Sequence, residues 1–291
     1  MDATHTLLGG AIDYAGLFPP AQLGMGEAVA NYAAYRRSAD AWALGRVVVP
    51  ANRIDELETA YRALPDDARA KAWPLSVLAG PHLDHDLAQL RELDGNALHV
   101  ESLEIRASTL AEIEEIGAAI GNAYDTYVEI PLDDDPAKLV GGISRAGLRG
   151  KMRTGGTSAD AFPTPDMVTE FIARCLDAGV PFKATAGLHH LRTGAYRLTY
   201  DPESDTGRMF GYLNLLASVA VLRDGAGERD AERVLLETEP EALRVDKEAV
   251  VWRDRRIGGE ALTALRRDGL TSFGSCSFRE PLDELRGIGL A

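Results

Sequence analysis

Apolar runs bounded by turn residues recur along the whole chain, and helical patterns separate most of them. Short apolar runs indicate buried β-strands, and their alternation with helices is typical of parallel sheets. Eight runs predict strands, over residues 8–16, 46–50, 73–80, 98–107, 126–132, 150–154, 181–186 and 271–278. Helices are predicted between them over 26–38, 53–64, 84–93, 109–122, 135–146 and 164–178. Eight such units in 291 residues predict an α/β fold of the (β/α)8 TIM-barrel type.

The rival architecture is an open doubly wound sheet, which commonly carries a Gly-x-Gly-x-x-Gly turn after its first strand. No such turn follows the first predicted strand. Between the last two strands, residues 188–269 predict helices over 207–223, 229–237 and 258–267 and a hairpin near 245–253. We therefore expect one barrel domain over residues 1–291, in which 188–269 is an insertion between strands 7 and 8 that lies over the mouth.

The charge of the chain limits its partners. Acidic residues number 45 and basic residues 31, which gives a net charge of −14, and no basic block stands out. This argues against nucleic acid or an anionic membrane as a partner. No apolar run approaches the roughly 18 residues of a membrane span, the first residues do not resemble a signal peptide, and there are two cysteines. A cytoplasmic protein is expected, and a homo-oligomer is compatible with a barrel.

Two of the five lysines lie within predicted strands, Lys151 on the sixth and Lys183 on the seventh. Lysine is rarely buried without a partner or a purpose. Two neighbouring lysines lower each other's pKa, and a lowered pKa turns an amine into a nucleophile near neutral pH. These two residues are the strongest functional indication in the sequence.

Side-chain alternation along the strands predicts which residues point inward. Lys151 shares a face with Arg153, Lys183 shares a face with Thr185, and Glu129 lies between two apolar neighbours. A structural ion pair of Glu129 with Lys151 or Arg153 is the alternative. Several buried charges on adjacent strands would be costly as structure alone, which favours a site at the carboxyl ends of the strands.

Further candidates for substrate binding lie after these strands. Glycines allow backbone N–H groups to approach an anion, and hydroxyl side chains bind phosphate or carboxylate, although small residues also simply allow a barrel to close. Asp13 and Tyr14 would add a carboxylate and a phenol at the mouth, unless they only form a turn. Besides Arg153, Asp13 and Tyr14, the predicted binding residues are Thr154, Gly155, Gly156, Thr185, Gly187, His189, His190, Ser275 and Ser277.

The two lysine segments resemble those of deoxyribose-phosphate aldolase and its class I aldolase relatives. That family carries Lys-x-x-Thr-Gly on its sixth strand and Lys-Ala-x-x-Gly-Ile on its seventh, and this chain has Lys-Met-Arg-Thr-Gly at 151–155 and Lys-Ala-Thr-Ala-Gly-Leu at 183–188. The resemblance implies that Lys151 is the Schiff-base lysine and that Lys183 lowers its pKa. The candidates for the family's aspartate on an earlier strand are Glu101, Glu104 and Glu129. Arg153 departs from the family, which has a small residue there, and the 188–269 insertion is foreign to it.

These observations predict a lyase or aldolase that acts on a small anionic substrate, a carbonyl-containing acid or (phospho)sugar, without a cofactor. Lys151 would attack the carbonyl, Glu129 would transfer protons, and Arg153 would bind a carboxylate or phosphate. If Glu129 pairs with Arg153, Lys151 is left unpaired and its amine is expected to be substantially neutral near pH 7. A Lys183→Met variant is expected to keep its fold and to lose activity.

Two alternatives remain open on the sequence. The first is a metal-dependent lyase or isomerase of the same fold, whose ligands would be Glu129, one of His189 and His190, and another carboxylate. The second is a non-catalytic barrel in which the basic residues bind an anion.

Overall fold

Eight parallel strands close into a barrel in the computed structural model, which describes residues 2–93 and 97–289. The barrel strands are β1 (Ile12–Tyr14), β2 (Leu44–Pro50), β3 (Trp73–Leu78), β4 (Leu98–Arg106), β5 (Asp125–Glu129), β6 (Arg149–Arg153), β7 (Phe182–Thr185) and β13 (Leu270–Ser275). Each strand pairs in parallel with its neighbours in the chain, and β13 lies between β7 and β1. The predicted (β/α)8 fold is confirmed.

Helices follow the strands as predicted. Their bounds are α1 (Ala3–Leu8), α2 (Met25–Tyr35), α3 (Ile54–Arg62), α4 (Leu83–Leu93), α5 (Leu110–Ile120), α6 (Ala137–Arg145), α7 (Pro165–Asp177), α8 (Tyr212–Arg223), α9 (Glu228–Leu235), α10 (Glu260–Asp268) and α11 (Arg279–Gly287). Thr109 and Glu112 form a capping box that begins α5, and Pro165 occupies the first turn of α7. One difference concerns the first predicted strand, because its initial residue ends α1 and only Ile12–Tyr14 is extended.

The insertion between β7 and β13 does not lie over the mouth as a whole. It contains the hairpin β8 (Gly194–Arg197) and β9 (Thr206–Met209), helices α8 to α10, and an antiparallel sheet of β10 (Leu243–Val245), β11 (Ala249–Trp252) and β12 (Arg255–Gly258). Tyr212 of α8 stacks on Phe273 of β13 at 5.2 Å between ring centroids, and Ser218 of α8 donates to the carbonyl of Ala231 in α9. Helix α8 therefore belongs to the outer layer of helices. The loop of the β8–β9 hairpin reaches the mouth, where the Tyr200 hydroxyl lies 3.5 Å from Cys276 Sγ.

Packing between the barrel and its helices determines which side chains face inward. Phe182 of β7 meets Phe171 of α7 edge to face at 5.7 Å. A Cβ on Gly150 would lie 3.0 Å from the Phe171 ring, so α7 approaches β6 closely. Because successive side chains alternate along a strand, Lys151 and Lys183 point into the barrel.

In the described residues, no helix is both long and apolar enough to cross a membrane.

Candidate active site

Five charged side chains from five different strands meet inside the barrel. Lys183 Nζ lies 2.6 Å from Asp13 Oδ2 and 2.7 Å from Glu104 Oε1. The other carboxylate oxygen of Glu104 lies 2.7 Å from Lys151 Nζ, which in turn lies 2.8 Å from Glu129 Oε2. The result is a continuous ladder of alternating charge, Asp13–Lys183–Glu104–Lys151–Glu129, in which Glu104 bridges the two lysines.

Hydroxyl and amide donors bind the carboxylate oxygens of this ladder. Ser76 donates to Glu104 at 2.6 Å, and Ser272 donates to Asp13 at 2.8 Å. The backbone N–H of Arg46 binds the second oxygen of Asp13 at 2.9 Å. Since buried charges are tolerated only when they are paired and hydrogen-bonded, these contacts account for the ionised carboxylates at the centre of the barrel.

The ladder stabilises charge at its centre. Burial by itself would raise the pKa of Glu104, but the charges and hydrogen bonds of Lys151 and Lys183 outweigh it and hold that pKa well below its ordinary value. Burial would likewise lower the pKa of Lys183, and the carboxylates of Asp13 and Glu104 raise it instead. Lys183 therefore stays protonated. The two lysines were expected to lower each other's pKa, but this is not so for Lys183, because the carboxylate of Glu104 lies between the two ammonium groups.

Lys151 is the lysine that borders open space. It forms part of the wall of a cavity of about 170 Å³ near His189 and Cys276, and of another of about 360 Å³ beside Glu129. Lys183, in contrast, belongs to the wall of neither of these two cavities, and its exposure is 0%. A small molecule in either cavity can reach Lys151 without displacing Lys183 or Asp13, which are fully buried.

Glu129 pairs with Lys151 and Arg106, so the condition that would leave Lys151 unpaired, an ion pair between Glu129 and Arg153, is not met. Glu129 Oε1 accepts a hydrogen bond from Arg106 Nε at 2.9 Å, while Lys151 binds Glu129 Oε2. Burial opposes ionisation of Glu129, but Lys151 and then the two arginines lower its pKa below the ordinary value. Arg153 is exposed and makes one long bond to the Gly155 carbonyl at 3.4 Å. Within the described part of the chain it has no carboxylate partner, which leaves a free guanidinium beside Lys151.

The glycines after β6 and β7 are required for packing. A Cβ on Gly155 would lie 2.5 Å from the Phe162 ring, and one on Gly187 would lie 3.0 Å from the same ring. A Cβ on Gly156 would lie 2.6 Å from the Cβ of Ala161. Gly156 and Gly187 also line the smaller cavity beside Lys151, while Gly155 lies behind the Phe162 ring.

The two predicted threonines differ in position. Thr154 is buried, and its hydroxyl donates to the Ala186 carbonyl at 2.6 Å. It therefore holds the turn after β7, in which Ala186 has a φ of 68°, a value uncommon for a residue other than glycine. Thr185 lines the smaller cavity together with Lys151. Of this pair, only Thr185 is placed to contact a substrate.

The adjacent histidines point in different directions. His189 is buried beside Cys276 in the wall of the smaller cavity, and burial lowers its pKa to about 4, so that it is neutral at pH 7. His190 binds Glu284 at 2.6 Å and stacks on Tyr196. Only His189 belongs to the site.

Both predicted serines have structural contacts. Ser277 accepts a hydrogen bond from the Glu280 backbone N–H at the start of α11 and lies outside the cavity wall. Ser275 is buried, and its hydroxyl lies 3.4 Å from His189 Nδ1. Ser275 thus contacts a wall residue rather than open space.

Asp13 and Tyr14 do not lie at the mouth. Asp13 is fully buried beneath Lys183, where it binds the ammonium group. Tyr14 points to the opposite side of β1 and packs against Tyr32 and Tyr35 of α2. The reason is alternation: when Asp13 faces the interior, its neighbour must face the helices.

Glu104, one of three candidates for the aspartate of the aldolase family, contacts both lysines and is the central carboxylate of the site. Its signal was present, because Ser102, Glu104 and Arg106 alternate with the apolar Leu103 and Ile105 on β4. Polar residues at every second position of a barrel strand indicate an inward polar face.

No metal-binding geometry is found around these residues. In residues 2–93 and 97–289, no group of three or more His, Cys, Asp and Glu side chains is arranged to hold a metal ion. Both oxygens of Glu129 are bound by cations, and His189 lies against Cys276. The ligand set considered from the sequence is thus not assembled.

Comparison with known proteins adds no relative. No protein-family model, no curated protein and no solved structure matches this chain.

Proposed function

We propose that the protein is a carbon–carbon lyase of the aldolase type, in which Lys151 forms a Schiff base with a small carbonyl-containing acid or (phospho)sugar. The observation that carries the proposal is the position of Lys151 in the ladder. It is the cavity-facing member of two lysines that share Glu104, and it is the cation that the ladder needs least.

The contacts of the carboxylates show that each one has a second cationic partner besides Lys151, or does not contact Lys151 at all. If Lys151 becomes neutral, Glu104 keeps Lys183 and Glu129 keeps Arg106. Asp13 is bound to Lys183 in either case. Every buried carboxylate therefore retains a cationic partner, and neutral Lys151 leaves no unpaired buried charge, which would cost several kcal/mol.

In the proposed reaction, the lone pair of the Lys151 amine attacks the substrate carbonyl carbon. The carbonyl oxygen takes up two protons and leaves as water, which produces an iminium. The β-hydroxyl of the substrate then loses its proton and becomes the carbonyl of the departing aldehyde, while the electrons of the broken carbon–carbon bond move to the iminium nitrogen. Protonation of the enamine carbon and hydrolysis release the second product.

Glu129 is placed to move these protons. It binds Lys151 directly at 2.8 Å, and its lowered pKa keeps it ionised and able to accept a proton near neutral pH. Lys183 supplies a permanent positive charge that holds Glu104 ionised behind the nucleophile. Arg153 offers a bidentate donor to a carboxylate or phosphate of the substrate.

The experiment is reductive trapping. The protein is incubated with borohydride and a panel of oxo acids and aldehydes, and the adduct is located by mass spectrometry of peptides. An adduct on Lys151 that disappears in Lys151→Met and persists in Lys138→Met, an exposed lysine of α6, supports the proposal. No adduct across the panel would overturn it, and activity removed by a chelator would favour the metal-dependent alternative.

A further inference from the structure

A groove next to the ladder has no role in the reaction described above. It encloses about 810 Å³ between the loop after β5, the loop after β6 and the start of α7. Glu129 and Arg153 belong both to its wall and to the wall of the cavity that holds Lys151. A ligand can therefore occupy both spaces at once.

The body of the groove is apolar. Its apolar wall is formed by Ile130, Leu132, Phe162, Pro163 and Met167. Leu132, Phe162 and Met167 are only half-buried, and neither Phe162 nor Met167 belongs to the continuous core. These side chains present apolar surface that folding leaves uncovered, and an apolar wall with a few placed charges is typical of ligand sites.

The groove is held in a fixed shape. The Phe162 ring lies against Gly155 and Gly187, where any larger residue would displace it. Pro165 begins α7 directly after this loop, and its fixed backbone restricts the approach to the helix. An already formed site binds with a smaller ordering cost than one that must assemble.

Two cations line the groove, Arg106 and Arg153. Arg106 is bound to Glu129, and the acidic Glu112 is bound to the backbone of Ser108 and Thr109. Of the two groove cations, Arg153 has no carboxylate partner within the described residues, and it belongs to the wall of both the groove and the Lys151 cavity. Asp133 and Asp160 are exposed acids that an anion would avoid. An anionic group is thus favoured at Arg153 and an apolar group farther along the groove.

We infer that the substrate is an amphiphilic oxo acid rather than a phosphosugar: its carboxylate binds Arg153, and an aromatic or alkyl substituent fills the groove of Ile130, Leu132, Phe162, Pro163 and Met167. This inference rests on the proposed function for the carbonyl at Lys151. The five apolar side chains offer a polyhydroxylated chain no hydrogen-bond partner, and hydroxyl groups placed against them would lose their hydration without replacement.

The test uses acids without a carbonyl, so that imine formation plays no part. The dissociation constants of propanoate, 3-phenylpropanoate and glycerol 1-phosphate are measured by NMR titration of the intact protein. We expect 3-phenylpropanoate to bind about tenfold or more tightly than propanoate, since a phenyl group leaves water. Leu132→Asn and Met167→Gln should each remove most of this preference, and Arg153→Gln should weaken the binding of both carboxylates. Ile288→Asn, at an exposed site directly after α11 and outside the groove wall, should change neither the preference nor the affinities.

Equal affinity for propanoate and 3-phenylpropanoate would overturn the inference, as would tighter binding of glycerol 1-phosphate or a preference that the groove variants leave intact. Trapping of pyruvate on Lys151 tests the proposed function separately. A pyruvate adduct without a phenyl preference would refute the groove alone, and a phenyl preference without any adduct would refute the Schiff base alone.

Discussion

Lys183 and Glu104 form an ion pair of 2.7 Å at the centre of the barrel, where both side chains are almost fully shielded from solvent. Asp13 completes the pair on the other side of the ammonium group at 2.6 Å. This arrangement changes what a substitution of Lys183 should do.

Lys183→Met is expected to lower the free energy of unfolding by about 3–5 kcal/mol, because it leaves the buried Asp13 carboxylate without its lysine partner and takes one of two from Glu104. The sequence alone suggested a harmless replacement. Adding Asp13→Asn to Lys183→Met should recover part of the loss, since it removes the unpaired charge. Urea unfolding of the single and double variants measures both effects, and a fully stable single variant would contradict the ladder.

The ladder also predicts a loss of stability at alkaline pH. The pKa of Lys183 is raised above its ordinary value of 10.5 in the folded protein. The contribution of Lys183 to the free energy of unfolding is therefore fully present below pH 10.5 and is lost as the pH rises through the folded-state pKa. Unfolding free energies measured from pH 9 upward should fall more steeply in the wild type than in Lys183→Met. Lys247→Met, at an exposed position, serves as the control and should retain the wild-type slope.

The buried, neutral His189 predicts that the free energy of unfolding also falls at mildly acidic pH. Burial lowers its pKa from 6.5 to about 4, so the unfolded chain takes up a proton more readily than the folded protein. Its contribution is present above pH 6.5 and is lost as the pH falls toward 4. Between pH 6.5 and 5 we expect the wild type to lose between about 1 and 2 kcal/mol relative to His189→Gln.

Glu280, which lies beside His189, also changes the stability of the protein in this pH range. The effect of His189 is therefore measured as the difference between the wild type and His189→Gln. The Glu280 carboxylate lies 3.7 Å from His189, and burial raises its pKa, which acts in the opposite direction. His85→Gln, at an exposed position on α4, should leave the wild-type slope in place. An identical slope in the wild type and in His189→Gln would show that His189 is not held neutral.

The loop after β6 gives a prediction about packing. Gly155→Ala should destabilise the protein by about 1–3 kcal/mol, because the added methyl group displaces the Phe162 ring. Gly26→Ala is the matched control: no atom lies within 4 Å of the added Cβ, and alanine favours the helix α2, so a gain of about 0.5–1 kcal/mol is expected. Thermal unfolding of both variants tests the pair, and a neutral Gly155→Ala would mean that Phe162 is free to move.

The sequence by itself determined the barrel and the inward direction of Lys151, Lys183 and Glu129. These properties follow from local causes: apolar runs, helix caps, and the alternation of side chains along a strand. The same alternation along β1 and β4 places Tyr14 among the helices, not at the mouth, and Glu104 inside the barrel.

Only the tertiary structure decided which charges pair. Glu104 pairs with Lys183, which lies 79 residues away in the chain, and Glu129 binds Arg106 and not Arg153. The strands bring these groups together. The partner of each group depends on the lengths of the side chains and on their positions along the barrel axis, and no local sequence pattern specifies the relative position of two distant strands. The same holds for the apolar groove, whose walls come from separate loops. Charge pairing between distant segments depends on a few ångströms of separation, and the folded chain sets those distances.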